Sequence, residues 1–102
     1  MQVLFHGIGG YGANEAIGRA CWPHNDVIVV LSGTVHFTLG DMGLSCAAGH
    51  ALHIAPHTSF SGVSGISGCR LWVQHFALTR EDHKKIPALS ESGCFERQVE
   101  GD

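Results

Sequence analysis

Apolar and polar residues alternate in short runs along most of the chain. Thr34-Val35-His36-Phe37-Thr38-Leu39 alternates strictly, so Val35, Phe37 and Leu39 share one strand face and Thr34, His36 and Thr38 the other. Val27 to Leu31 is apolar at every position, which reads as a central strand covered on both sides. Helix-period patterns are nearly absent before residue 79. β-Rich runs bounded by Gly, Asp or Pro predict strands near residues 2–6, 16–22, 26–31, 34–39, 42–46, 50–55, 58–63 and 69–78. Leu31-Ser32-Gly33-Thr34 predicts a tight hairpin with Gly33 at positive φ, and Gly40-Asp41-Met42-Gly43 predicts a second. Pro56 has no N–H to give a ladder, so it is expected to close a strand or sit at a bend. Gly7-Ile8-Gly9-Gly10-Tyr11-Gly12 does not open a helix after a strand, so it reads as a flexible turn and not a nucleotide loop.

Short strands at regular spacing predict a sandwich or barrel, and hairpins separated by a Gly-rich return fit a double-sheet jelly roll. The pattern changes at Thr79-Arg80-Glu81-Asp82, which resembles an N-cap followed by acidic residues in a first turn. A short helical turn through Lys85, ended by Pro87, is expected there. Residues 1–87 are thus expected to form one β-barrel domain, with residues 88–102 a polar tail or linker. A chain of 102 residues is enough for one domain and one core.

Charge narrows the possible partners. The six basic residues (Arg19, Arg70, Arg80, Lys84, Lys85 and Arg97) are scattered and the net charge is −3, which argues against a nucleic-acid surface on this domain. No stretch approaches the ~20 apolar residues needed to span a bilayer. The start, MQVLFHGIGG, lacks the charged and apolar regions of a signal peptide. Cys21, Cys46, Cys69 and Cys94 form no C-x-x-C pair. Reduced cysteines and a cytoplasmic location are the resulting expectations.

Residues Arg19 to Leu78 resemble the cupin family. That family carries a first motif, G-x5-H-x-H-x3,4-E-x6-G, and a second, G-x5-P-x-G-x2-H-x3-N. Asp26 stands seven residues before Gly33, where the family has Glu. Val29-Val30-Leu31-Ser32-Gly33 resembles the V-L-x-G turn, and Gly49-His50-Ala51-Leu52-His53-Ile54-Ala55-Pro56 resembles the segment that opens the second motif. The resemblance implies an all-β fold, a cupin-like double-stranded β-helix or jelly-roll barrel. In many members two histidines, the glutamate and a later histidine bind a divalent metal. Here the first pair falls on Ala20 and Trp22, or on Arg19 and Cys21, and the later histidine falls on Phe60 or Ser61. Only Asp26 remains of four ligands, and one carboxylate does not hold a divalent ion. No metal and no other cofactor is therefore expected.

Arg19, the Asp26–Gly33 run and the strand Leu71-Trp72-Val73-Gln74-His75-Phe76 resemble the N-terminal effector-binding domain of AraC-type transcription regulators. That likeness implies a non-catalytic barrel holding a small-molecule effector, such as a sugar or another metabolite. It also implies a homodimer that reaches DNA only through a C-terminal helix-turn-helix domain absent from this chain. Candidate polar contacts are Arg19, His24, Asp26, His36, His53, His57 and His75, and candidate walls are Trp22, Phe37, Phe60 and Trp72. Structural roles compete for each: Phe37 and Trp72 as core, His36 and His53 on an outer half-wet face, Asp26 as a turn acid, Arg19 as a solvated edge. Two alternatives stay open. One is a metal-dependent cupin enzyme (dioxygenase, isomerase or lyase) with an irregular histidine site. The other is a structural barrel packed shut by Trp22, Phe37, Phe60 and Trp72.

Overall fold

A computed structural model describes residues 2–78 and 93–96. Among them are seven strands: β1 (Gln2–Tyr11), β2 (Ala16–Ala20), β3 (Asn25–Leu39), β4 (Met42–Ala47), β5 (His50–Ile54), β6 (Phe60–Ala77) and β7 (Gly93–Glu96). All their pairings are antiparallel. The fold is all-β, as the short alternating runs predict. No helix among the described residues is long and apolar enough to cross a membrane.

Two long strands organise the molecule. The first half of β3 pairs with the second half of β6, Asn25 opposite Phe76 through Val30 opposite Leu71. The second half of β3 pairs with the first half of β6, Val35 opposite Ser64 through Leu39 opposite Phe60. The first of these halves is flanked by β1 and by β5, which carries β7 on its other edge. The second is flanked by β2 and β4. Two layers result, and β3 and β6 belong to both.

The bend between layers replaces the hairpin expected at Leu31–Thr34. Gly33 does take positive φ, at 76°, but β3 runs on through it because β6 stays paired on both sides. Gly68, at φ 74°, is the matching irregularity in β6. A Cβ on Gly33 would fall inside contact distance of the Gly68 carbonyl, so the crossing needs glycine for space as well as for φ. Between Ser64 and Cys69 β6 bulges, with Ile66 at the exposed tip. The strands expected at 58–63 and 69–78 are therefore one strand. The hairpin expected at Gly40-Asp41 joins β3 to β4, with Leu39 opposite Met42. Pro56 lies in the turn after β5, as expected.

The alternation of β3 is realised: Val35, Phe37 and Leu39 are buried and His36 is exposed. They meet Ile28, Val30, Leu52, Ile54, Phe60 and Leu71 in the core, with Cys46 and Cys69 acting as small apolar side chains. Val27–Leu31 is covered less than its composition suggests. Ile28 and Val30 are buried, whereas Leu31 on the other face is 41% exposed. The glycine-rich stretch expected as a turn is instead the second half of β1, held by Gly7 opposite Val73 through Tyr11 opposite Cys69. Within the segment expected as a polar tail, β7 pairs with β5. The helical turn expected over Thr79–Lys85 lies outside the described residues.

Candidate functional site

The site grows from one cross-strand pair. Asp26 on β3 lies directly opposite His75 on β6, so both side chains point into the space between the layers. Asp26 is 2% exposed, and its Oδ2 lies 3.4 Å from His75 Nε2. His75 Nδ1 lies 2.9 Å from His24 Nε2. Trp22 stacks on His24, with ring centres 5.8 Å apart and planes 13° from parallel, and also packs against His75 at 5.0 Å. Phe5 on β1 meets His75 from the opposite side at 5.4 Å. The result is a line, Asp26–His75–His24, that runs from the interior to a tryptophan at the surface.

Burial raises the Asp26 carboxyl from its ordinary 3.8 to about 7. Burial, and then the neighbouring His24, lower the basicity of His75. Both shifts favour the neutral forms. A protonated Asp26 Oδ2 then turns its O–H towards His75 Nε2, 3.4 Å away and longer than a normal hydrogen bond, and His75 Nδ1–H donates to His24 Nε2. Asp26 Oδ1 is left as an acceptor. That oxygen is buried and has no hydrogen-bond partner among the described residues.

Asp26 lines a partly open cavity of about 290 Å³, near the lower end of the range for small-molecule pockets. Its walls are mostly apolar: Ile28, Phe37, Phe60, Leu71 and Val73, with Trp22, His75 and Arg19 also contributing. Tyr11, Trp22, Val73 and His75 separate it from an adjoining groove of about 530 Å³ that runs under β1. Gly7 and Gly9 are on the floor of that groove, where their missing side chains leave room opposite Val73 and Leu71. Tyr11, Gly7 and Gly9 were not anticipated from the sequence, because a glycine run carries no strand signal.

Six of the eleven candidate residues meet at the cavity: Arg19, Trp22, Asp26, Phe37, Phe60 and His75. His24 joins them through its bond to His75. The other four stand elsewhere. His36 is on the outer side of β3, bonded to Ser45 Oγ at 3.1 Å, beside a separate depression of about 310 Å³. His53 is on the face of β5 away from the cavity, 1% exposed and 2.9 Å from Asn25 Oδ1, so its surroundings are dry. His57 is exposed in the turn after Pro56, at φ 62°. Trp72 faces away from the cavity on β6 and is half-buried. Phe37 is fully buried in the core cluster while its ring also lines the cavity, and Trp22 is 39% exposed.

The divalent metal implied by the resemblance does not fit these residues. In one of the two registers the resemblance allows, the ligand positions are Ala20, Trp22, Asp26 and Phe60, which converge on one cavity, but three of the four carry no donor. Among the described residues no three His, Cys, Asp or Glu side chains are grouped to hold an ion. Asp26, His75 and His24 are strung in a line and bond to one another.

Comparison with known proteins identifies the architecture. No protein-family model matches the chain, and no curated protein matches its sequence. Solved structures do match. An RmlC-like cupin from Shewanella frigidimarina superposes with a TM-score of 0.68 at 15% identity, covering 78% of this chain and 70% of that one. The cupin domain of Schizosaccharomyces pombe Cnp3 gives 0.66 at 17%, covering 83% and 68%. A variant of Bacillus subtilis oxalate decarboxylase gives 0.70 at 10%, covering 99% of this chain but 35% of that one. At such identities the likeness defines the fold, a cupin jelly roll.

Proposed function

We propose that this cupin fold serves as a non-catalytic receptor for a small molecule, in the manner of the sensor domain of an AraC-type regulator. The observation that carries the reading is the set of residues at the aligned ligand positions: Ala20, Trp22 and Phe60 turn a metal site into an apolar wall around one acid, Asp26. An apolar cavity with a few placed polar groups is suited to binding a metabolite and holding it. The receptor would act in the cytoplasm as a homodimer and reach DNA through a helix-turn-helix domain outside this chain.

Two measurements test the proposal. Elemental analysis of protein purified without chelator should find iron, manganese, nickel and zinc well below one atom per chain. Stoichiometric metal that survives dialysis would replace the receptor with an enzyme. A thermal-shift screen against sugars, carboxylic acids and phenols should give at least one saturable rise in Tm, since a ligand that binds only the folded state stabilises it. A screen without any shift would leave a structural barrel.

A further inference from the structure

The receptor reading names no ligand, but the cavity narrows the chemistry. We propose that the occupant is a small hydroxy- or amino-carboxylate with an apolar body, its donor group on Asp26 Oδ1 and its carboxylate on Arg19. The proposal rests on the receptor reading and goes further by assigning both ends of the ligand.

Asp26 sets the inner end. Asp26 lines the cavity, and its Oδ1 is buried and has no hydrogen-bond partner among the described residues, while Oδ2 lies 3.4 Å from His75. A buried oxygen left without a donor is costly, so a ligand that supplies one gains more than an ordinary hydrogen bond. Oδ1 accepts in the ionised form, and it also accepts in the neutral form with the proton on Oδ2. In either state the cavity calls for an O–H or N–H at this point, and a carboxylate or ketone there would be repelled or left unpaired.

Arg19 sets the outer end. It lines the same cavity from β2 and is exposed, which places the residue at the cavity's edge. No carboxylate pairs with it among the described residues, and Asp26 lies against His75 instead. A guanidinium matches a carboxylate with two parallel hydrogen bonds. Between the two ends lie Ile28, Phe37, Phe60, Leu71 and Val73, which offer no polar side chain to a ligand body. A dry cavity of about 150 Å³ already holds benzene. One of about 290 Å³ has room for a single ring with a short substituent at each end.

Four probes isolate these features: 3-(4-hydroxyphenyl)propionate, 3-phenylpropionate without the hydroxyl, 4-propylphenol without the carboxylate, and toluene with neither. Titrations by calorimetry and by ¹H–¹³C NMR of the cavity methyls, with the intact chain, should place the hydroxy acid at least tenfold tighter than 3-phenylpropionate or 4-propylphenol. Arg19→Gln should abolish the advantage conferred by the carboxylate, and Asp26→Ser the advantage conferred by the hydroxyl. If toluene, 3-phenylpropionate and 4-propylphenol bind as well as the hydroxy acid, the assigned ends are wrong while the receptor reading stands. If toluene alone binds, the same conclusion follows. If none perturbs the cavity methyls at 10 mM, a concentration of order 10⁻² M, the proposal falls together with the open cavity beneath it. The comparison among probes on the unaltered protein remains decisive even where a variant fails to fold.

Discussion

Replacing Asp26 by asparagine isolates one proton's contribution to stability. The carboxyl ionises near 3.8 in the unfolded chain and near 7 in the folded one. Below pH 3.8 both states hold the proton. Between the two values the folded state holds it and the unfolded state has lost it, so stability falls as pH rises. Above about 7 both states are ionised and the loss is complete. The displacement is about three pH units, and each unit is worth about 1.4 kcal/mol, so the group destabilises the fold by about 4 kcal/mol at pH 8 relative to pH 4. An amide keeps an acceptor oxygen towards the cavity, offers N–H to His75 Nε2, and does not titrate. The stability of Asp26→Asn minus that of wild type should therefore grow by about 4 kcal/mol from pH 4 to pH 8. Urea unfolding at one-unit intervals, followed by tryptophan fluorescence, gives both values; taking the difference cancels the other carboxylates. Parallel pH profiles, or a wild type that gains on the variant as pH rises, would refute a neutral buried Asp26.

Further outcomes follow from other positions. Gly33→Ala meets both positive φ and the Gly68 carbonyl, so it should prevent folding or lower the urea midpoint severely, whereas Gly40→Ala, at φ 60° with open space around it, should cost about 1–2 kcal/mol. Similar losses for the two, measured by urea denaturation, would remove the close crossing as the cause. Phe37→Ala, at a site with no exposure, should cost about 3–5 kcal/mol and enlarge the cavity, read as a lowered urea midpoint with an unchanged m-value. Gly9→Ala places a methyl 3.7 Å from the Tyr11 ring without straining φ, so Tm should hold while any ligand occupying the groove under β1 binds more weakly; a large drop in Tm would mean that the glycine serves packing.

The parts of the fold legible in the sequence were those carried by local pattern. Thr34–Leu39 announced its faces by alternation, and Gly40-Asp41 its turn by residue type. Gly33 was equally clear as a positive-φ position but ambiguous in consequence. Whether a chain turns back or merely bends there depends on β6, thirty and more residues away, and on Gly68 within it. Gly7–Gly12 reads as a turn for the same reason, since its strand character comes from Cys69–Val73 alongside. At the site, Asp26 and Arg19 could be named from the family pattern. The bond between His24 and His75 could not be foreseen, because it exists only when the register sets Asp26 opposite His75. His36 and His53 illustrate the converse: side chains of suitable chemistry whose strand parity turns them away from the cavity.

Because β3 and β6 are neighbours along their whole length and each passes through both layers, the two halves of the chamber share one continuous seam of paired backbone. Away from that seam, the half-exposed indole of Trp22, leaning on His24 and His75, lines both the cavity and the adjoining groove and stands where the two meet.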